Sequence, residues 1–231
     1  MQPIKLHDCL CHGIGSGAEL FIVEGDSAAQ AVRAARAQQY QAVLPMQGKP
    51  LNAMRASRAE VERYPLYREL LCALGYASEP GSATGRPIAP AAARYEKVIL
   101  LFDPDADGIH CGALLLMFIF RRLKPLLDAG LVSLVHAPLL RIDYLAELDG
   151  GVRTQLAYTE HHAKELVSAL EAKGQSVTRK ARYRGLASLE ADILKSACLD
   201  PPSRLIHRLS SADAEAAIAM FSWEKGKSKS W

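Results

Sequence analysis

The sequence contains no apolar run that is long enough to cross a membrane. Its longest, residues 113–120, is far shorter than the roughly 20 residues that a membrane-spanning helix requires. The amino-terminal segment, residues 1–5, also lacks the apolar stretch of a secretory signal peptide. We therefore expect a soluble protein of the cytoplasm that has no membrane partner.

Cysteine is scarce, and its count is odd. The five residues are Cys9, Cys11, Cys72, Cys111 and Cys198. Their irregular spacing argues against a secreted disulfide framework and favours reduced thiols in a cytosol. Cys9 and Cys11, flanked by His7 and His12, resemble half of a zinc clip, but the sequence has no second pair to complete it. The alternative, a small and partly buried amino-terminal segment, is favoured.

An excess of charge of one sign is also absent, since the 231 residues carry a formal net charge of only +3. Any nucleic-acid binding must therefore depend on local basic clusters and not on bulk charge. Hydrophobic residues make up 49 % of the chain, which is enough to bury a core at this length. One good-sized domain, with or without a smaller appendage, is expected.

Short apolar segments alternate with helical segments in the first part of the chain. Strands are predicted at residues 19–23, 41–44, 97–102 and 131–135, and helices at 28–38, 58–74 and 110–128. This order predicts an α/β fold, a Rossmann-like parallel sheet flanked by helices and joined by right-handed crossovers. We assign it to residues 1–142, with a flexible loop rich in glycine and proline at 78–90.

The pattern changes after about residue 142. Residues 143–231 are expected to form a small α+β tail subdomain. Its strands are predicted at 152–158 and 177–183, and its helices at 160–173, 188–198 and 211–221. The last residues, 225–231, are expected to be frayed.

Three aspartates, Asp103, Asp105 and Asp107, follow the most apolar of the predicted strands. Open α/β sheets bind ligands at the carboxyl ends of their strands. In an extended segment alternate residues point the same way, so these carboxylates are expected to converge. Carboxylates this close repel one another unless a cation lies between them or their pKa values rise. Hard oxygen ligands of this kind suit Mg²⁺.

Glu24 ends another apolar strand and is followed by Gly25, which allows a tight turn. If the two strands are neighbours, Glu24 faces the aspartates across a crevice, as in a one- or two-metal site for phosphoryl transfer. A calcium loop is the first alternative, but its twelfth position, counted from Asp103, is Leu114 and not glutamate. A solvated acidic turn is the second, and the buried strand that leads into the aspartates disfavours it.

Several segments, in the same order, resemble the TOPRIM domain and tail region of the B subunits of type IIA DNA topoisomerases, those of DNA gyrase and topoisomerase IV. The matching segments are residues 18–27 (AELFIVEGDS), 44–52 (LPMQGKPLN), 103–110 (DPDADGIH), 114–121 and 183–186 (YRGL). The resemblance extends from about Lys5 to Trp223, and the combination of these segments is highly specific.

The resemblance implies that Glu24 and Asp103 bind a metal ion at the scissile phosphate of double-stranded DNA. Asp103 and Asp105 would hold a second ion with the assistance of Asp107, so one or two Mg²⁺ ions are expected. Glu24 is also the candidate acid or base for the 3′ oxygen. The nucleophile in this family is a tyrosine of a gyrase A-type partner, so none of the tyrosines in this chain is expected to react.

The ATPase domain with which the family's B subunits begin has no counterpart before residue 19. The glycine-rich segment 13–17 precedes a strand, whereas a nucleotide-binding P-loop follows one. We therefore expect that this chain alone does not hydrolyse ATP. It would depend for that on a separate ATPase domain.

Two groups of basic residues are candidates for contacts with DNA phosphates. They are Arg33, Arg36, Lys49, Arg55 and Arg58 in the first group, and Arg179, Lys180, Arg182 and Arg184 in the second. Each alone is typical of a solvated face, but near a metal site they favour phosphate binding. The candidates for phosphate contact are Lys49, Asn52, Arg33, His110 and Arg184. His110 is equally suited to cap the helix that follows it.

The chain departs from the family pattern at several places. Gln47 stands where the family's loop has a lysine, and residues 186–189 (LASL) differ from the family's tail motif. The leading hypothesis is a Mg²⁺-binding topoisomerase component that cleaves and rejoins DNA with its partner. The departures favour an alternative, a non-catalytic module that binds DNA or the partner as a decoy or regulator. A stand-alone TOPRIM nuclease or primase-like enzyme is a third, less favoured, hypothesis.

Overall fold

The computed structural model describes residues 5–76, 89–146 and 150–222. The frayed end expected at 225–231 lies outside these residues. Of the flexible loop expected at 78–90, only the last two positions are described, and the second of them begins a single 3-10 turn, Pro90–Ala92.

Eight strands lie within the described residues. They are β1 (Glu19–Glu24), β2 (Gln41–Met46), β3 (Lys97–Leu101), β4 (Val132–Val135), β5 (Leu140–Leu145), β6 (Val152–Ala157), β7 (Val177–Arg182) and β8 (Ile206–Arg208). The α-helices of the same residues are α1 (Gly25–Ala35), α2 (Arg58–Arg63), α3 (Pro65–Ala73), α4 (Ala106–Arg122), α5 (Lys124–Asp128), α6 (Glu160–Ala172), α7 (Ala191–Leu194) and α8 (Ser211–Ser222).

The main sheet has the order β2-β1-β3-β4-β8. Its first four strands are parallel, and β8 is an antiparallel strand beside β4. Helices cover both of its faces, so the predicted α/β class with a parallel sheet is confirmed. The order also confirms that β1 and β3 are neighbours, with Val23 opposite Leu101.

The central strands are apolar on both faces, as buried parallel strands must be. In β1, Leu20 and Ile22 contribute to one core cluster, which also contains Tyr67. Phe21 and Val23 point to the opposite face and contribute to a second cluster. Both faces of β1 are therefore buried, as in a central strand of a parallel sheet.

A smaller sheet has the order β6-β5-β7, all antiparallel, and α6 packs on it. Ile142 of β5 and Val167 of α6 belong to its core cluster. This arrangement agrees with the α+β character expected for the tail.

The residues after β7 return to the main sheet. Leu186, Leu194 and Leu199 are buried in the same cluster as Phe21, β8 pairs with β4 and α8 packs on α4. The boundary expected at residue 142 lies inside β5, and residues 183–222 pack on the parallel sheet. The apolar residues of this last segment share their core cluster with β1 and α1.

Several boundaries differ from those expected. The strand expected to stop before Pro45 continues to Met46. An edge strand such as β2 tolerates this proline, because among the described residues its outer side is bridged at Val43, by His7, and not at Pro45. The helix expected at 58–74 is interrupted at Tyr64, because Pro65 begins a new helix. The helix expected at 188–198 is replaced by α7 and a five-residue π-turn, Lys195–Leu199.

A search of the described residues for a membrane-spanning helix finds none, since no helix there is both long enough and apolar enough.

Candidate metal centre

The carboxyl ends of β1 and β3 lie side by side and carry the acidic residues. Glu24 is the last residue of β1, and Asp103 follows the end of β3 by two positions. Gly25, with a φ of +73°, turns the chain directly into α1. The helix expected to begin at residue 28 therefore begins at Gly25, and Glu24 occupies its N-cap position. Glu24 and Asp103 are thus brought together by adjacent strands.

Glu24 is partly buried and faces the other carboxylates. Burial raises its pKa, and the negative charges of Asp103, Asp107 and Asp105 raise it further, whereas the ammonium of Lys49 lowers it. This mutual repulsion is the electrostatic signature of a cluster that a cation would neutralise.

Asp103 is held by the segment that follows β7. Its Oδ1 accepts a hydrogen bond of 2.8 Å from the backbone N–H of Leu186. Its Oδ2 lies against Gly185, where a Cβ would come within 2.4 Å of that oxygen. Burial raises the pKa of Asp103, the Leu186 N–H lowers it, and Asp105 raises it again, with a net increase. The glycine and the backbone amide therefore fix the orientation of this carboxylate.

The three aspartates are arranged by the start of α4 and not by an extended strand, which corrects the expected alternation. Asp105 is the N-cap of α4, and its Oδ1 accepts a hydrogen bond of 2.8 Å from the N–H of Gly108. Gly108 passes so close to the backbone of Asp103 that a Cβ would lie 2.2 Å from the Asp103 carbonyl oxygen. Asp107 is in the first turn of the helix. The helix expected to begin at 110 therefore begins at 106, because Asp105 caps it.

Asp107 is exposed and pairs with Lys49, whose Nζ lies 2.9 Å from Oδ1. The hydrogen bond and the charge of Lys49 lower the pKa of Asp107. Lys49 belongs to the loop after β2, so three strand ends contribute to the acidic cluster.

The thiol of Cys111 is a further potential metal ligand, and it lies beside Glu24 and Asp107. One ligand atom from each of these residues lies within 4.8 Å of the other two. Within the described residues, neither Asp103 nor Asp105 belongs to a set of three ligand atoms that is this close. Sequence reasoning missed Cys111, although its position four residues after Asp107 places both on one face of α4.

The five candidates for phosphate contact are distributed unevenly. Lys49 is at the cluster, and Arg184 lines a cleft together with Pro104 and Asp105. The ring of His110 stacks on Phe221, with 4.8 Å between the ring centroids.

The other two candidates have different surroundings. The side chain of Asn52 accepts a hydrogen bond from the N–H of Met54 and shapes its own loop. Arg33 lies in the last turn of α1, at the opposite end of that helix from Glu24, and lines a cleft with His7 and Arg36.

Gln47 and Asp26 form a polar contact beside the cluster. The amide Nε2 of Gln47 donates to both carboxylate oxygens of Asp26 at 3.1 Å, and Lys5 Nζ lies 2.9 Å from the same carboxylate. Asp26 is exposed and is held by these two partners. The side chain of Gln47 is therefore neutral and is hydrogen-bonded to Asp26 of the same chain.

Comparison with known proteins matches the chain to the Toprim domain family and to B subunits of DNA gyrase and DNA topoisomerase 4. The sequence model of the Toprim domain matches residues 19–134. The chain is 33 % identical over 222 residues to the novobiocin-resistant DNA gyrase B subunit of Streptomyces niveus, and 33 % identical over 224 residues to the DNA gyrase B subunit of Streptococcus pneumoniae. It is 35 % identical over 208 residues to the DNA topoisomerase 4 B subunit of Bartonella bacilliformis.

These alignments cover 95 %, 95 % and 90 % of the chain, so they include the residues beyond the Toprim match. They cover only 31 %, 32 % and 28 % of the relatives. The chain therefore spans less than a third of the length of these relatives.

Proposed function

The chain belongs to the Toprim domain family, and on that basis we propose that it is the Mg²⁺-binding module of a type IIA DNA topoisomerase. It would support cleavage and religation of double-stranded DNA together with a gyrase A-type partner. The similarity to the B subunits of gyrase and topoisomerase IV along 95 % or 90 % of the chain supports this proposal over a Toprim protein of another type.

The observation that carries the proposal is the meeting of Glu24 and Asp103 at the ends of two paired strands. Burial and neighbouring negative charge raise the pKa of Glu24. Such a shift is expected where carboxylates lie close together without a cation between them. The donors are carboxylate oxygens, which fit Mg²⁺. We propose that Glu24, Asp103, Asp105 and Asp107 hold one or two ions, which when bound would neutralise charge on the scissile phosphate.

The side chains around the cluster have separate roles in this proposal. Glu24 holds or releases a proton at the 3′ oxygen. Asp103 is kept in one orientation by the Leu186 N–H. Lys49, which pairs with Asp107 here, would exchange that carboxylate for a DNA phosphate.

We propose that DNA phosphates also contact Asn52, His110 and Arg184, with Arg33 at the edge of the footprint. Such contacts are independent of base sequence and weaken as salt concentration rises. Because the net charge is only +3, these local groups must provide most of the attraction.

The nucleophile is proposed to come from the partner. Tyr67 and Tyr95 are buried, and Tyr183, which lines a cleft with Asp105, donates its hydroxyl to Glu190 at 2.8 Å. ATP hydrolysis would belong to a separate ATPase domain, and the assembly would work in the cytoplasm.

The contact between Gln47 and Asp26 favours a second candidate function. A neutral side chain that is engaged within the chain offers no charge to DNA at this position. The second candidate is therefore a non-catalytic module that binds DNA or the partner as a decoy or regulator.

The experiment combines the purified chain with the gyrase A-type partner of the same organism, supercoiled plasmid and Mg²⁺. Detergent then traps broken DNA that is linked to protein. We expect trapped DNA only when the chain, the partner and Mg²⁺ are all present. Binding of the partner without trapped DNA under any divalent cation would favour the regulator, and nicking by the chain alone would favour a nuclease.

A further inference from the structure

Cys111 is a buried thiol beside the acidic cluster that the proposed function does not use. Its side chain is 1 % exposed. Its Sγ lies within 4.8 Å of carboxylate oxygens of Glu24 and Asp107. Among the described residues, the thiol makes no hydrogen bond that would explain why it points towards two carboxylates. Cys111 also belongs to the apolar core cluster that contains Leu115 and Phe118, so its thiol lies where that core meets the acidic cluster.

We propose that Glu24, Asp107 and Cys111 form a mixed oxygen and sulfur site that binds a thiophilic divalent cation of the Zn²⁺ or Cd²⁺ type. The inference goes beyond the proposed function, because it requires neither DNA nor a partner protein. The thiol of Cys111 would give the acidic cluster a selectivity for soft cations that carboxylates alone do not have.

The chemistry of the three ligands supports this choice. Carboxylates alone suit Mg²⁺, whereas a thiolate selects softer cations. When the cation binds, the S–H bond of Cys111 breaks, its proton passes to solvent, and a metal–sulfur bond forms without any change of oxidation state.

The geometry needs only a small adjustment. Around a tetrahedral Zn²⁺, a thiolate sulfur and a carboxylate oxygen are about 3.5 Å apart, so atoms that lie within 4.8 Å of one another must approach by roughly 1.3 Å or less. Asp107 is exposed and can move, whereas Glu24 and Cys111 are fixed by β1 and α4. Asp107 must leave Lys49 when it does so, because the ammonium and the cation compete for the same carboxylate.

A second group of ligand atoms, from Asp8, Cys9 and His12, lies at the other side of the molecule. It is a poorer cation site, because the guanidinium of Arg94 donates to Asp8 and lies 2.9 Å from His12 Nε2. The guanidinium of Arg94 already neutralises the negative charge of Asp8. Because Cys9 of this group is a thiol that could bind Cd²⁺, the experiment needs a control at Cys9.

The test is a titration of the full chain with Cd²⁺, followed by the ultraviolet charge-transfer absorption of a cadmium–thiolate bond. Mn²⁺ is titrated separately as a probe of the oxygen ligands. The variants are Cys111→Ser and Asp107→Asn, with Cys9→Ser and Cys198→Ser as matched controls at the other two buried cysteines. Circular dichroism verifies that each variant is folded.

We expect Cys111→Ser to lose the absorption band and to bind Cd²⁺ about tenfold or more weakly, with Mn²⁺ affinity nearly unchanged. Asp107→Asn, at an exposed position that cannot disturb the core, should weaken Cd²⁺ binding as well. The controls should keep the wild-type band. Three results would overturn the proposal. The band could persist in Cys111→Ser, it could be lost in Cys9→Ser, or Cys111→Ser could lose Mn²⁺ and Cd²⁺ affinity equally. A failure of Mn²⁺ binding alone would count against the proposed Mg²⁺ function and not against the cysteine site.

Discussion

The backbone N–H of Leu186 donates a hydrogen bond of 2.8 Å to Oδ1 of Asp103, across 83 residues of sequence. The contact joins the segment after the smaller sheet to the acidic cluster at the end of β3. Because Gly185 lies against the other oxygen of the same carboxylate, this segment determines how Asp103 is presented to a cation. The tail of the chain is therefore part of the proposed metal site.

Replacing Gly185 with alanine should displace Asp103. Gly185 has a φ of +149°, and a Cβ there would lie 2.4 Å from Asp103 Oδ2. We expect Mn²⁺ or Mg²⁺ to bind about tenfold more weakly, since the ligand loses its orientation. Calorimetric titration with Mn²⁺ measures this effect.

Gly15→Ala is the matched control for this variant. Gly15 also has a positive φ, +84°, but a Cβ there has nothing within 4 Å. It should cost about 1 kcal/mol of stability through backbone strain and leave cation binding unchanged. Equal cation affinities of Gly185→Ala and Gly15→Ala would show that the Gly185 contact does not position Asp103.

Lys49→Met should change DNA binding and cation binding in opposite directions. Loss of a phosphate contact should reduce the slope of log affinity against log salt by about one for double-stranded DNA. Without DNA, Mn²⁺ should bind about threefold more tightly, because Asp107 no longer pairs with an ammonium. Fluorescence anisotropy at several salt concentrations and a Mn²⁺ titration report the two effects.

Lys124→Met serves as the comparison for Lys49→Met. Lys124 is equally exposed and pairs with Asp128, but it lies beyond the far end of α4, roughly 25 Å along the helix from the acidic cluster. Its replacement should leave both measurements unchanged. An equal reduction in salt slope for the two variants would mean that Lys49 has no special place in DNA binding.

Glu24 should contribute stability, in the absence of divalent cations, that is lost as the pH rises through the acidic range. The folded-state pKa of Glu24 lies above its ordinary value of 4.5, because of burial and the charges of Asp103, Asp107 and Asp105. At Glu24 the folded protein therefore binds more protons than the unfolded chain, and the contribution of this group to stability decreases from pH 4.5 upwards through its folded pKa. Mg²⁺ should restore the lost stability near neutral pH and have little effect below the ordinary pKa.

Urea unfolding between about pH 4 and about pH 8, with a chelator or with Mg²⁺, measures this dependence. Glu24→Gln should flatten the decrease, whereas Glu171→Gln, at an exposed position of α6, should not. If the free energy of unfolding of Glu24→Gln depends on pH as that of the wild type does, the carboxylates of the cluster do not raise the pKa of Glu24 as proposed.

The buried ion pair between Glu19 and Arg204 should be important for stability. Arg204 Nη1 lies 2.8 Å from Glu19 Oε2, and the side chains of Arg204 and Glu19 are 1 % and 4 % exposed. Arg204→Met should destabilise the fold by about 3 kcal/mol, because it leaves a buried carboxylate without its partner. The double variant with Glu19→Gln should recover much of that loss. Urea denaturation of the four proteins of this cycle measures the coupling, and strictly additive losses would contradict it.

The parallel sheet and the meeting of Glu24 with the aspartates can be predicted from the sequence. Continuous apolar runs such as β1 and β3 are typical of buried parallel strands, and their carboxyl ends must share one edge of the sheet. The tail motif around Gly185 is also recognisable by resemblance, although the smaller sheet separates it from the aspartates in the sequence.

The contacts that complete the cluster cannot be predicted in the same way, for physical reasons. The approach of Leu186 to Asp103 depends on how the smaller sheet is placed, which no local pattern encodes. Cys111 comes just before the apolar run 113–120 and looks like part of a core helix. Its spacing of four residues from Asp107 places both on one helix face but does not show that it is a ligand. The sequence also gives no sign of β8, because its three residues, Ile206–Arg208, are exposed and its pairing with β4 is set by tertiary packing.

The acidic cluster is proposed to be one half of a DNA-cleaving site. The most direct measurement is the amount of DNA covalently trapped on the gyrase A-type partner with wild-type chain, Glu24→Gln and Glu171→Gln, each across a Mg²⁺ titration. We predict that Glu171→Gln matches the wild type and that Glu24→Gln reduces trapping by about a hundredfold or more at every Mg²⁺ concentration. Trapping by Glu24→Gln at the wild-type level would contradict the proposal.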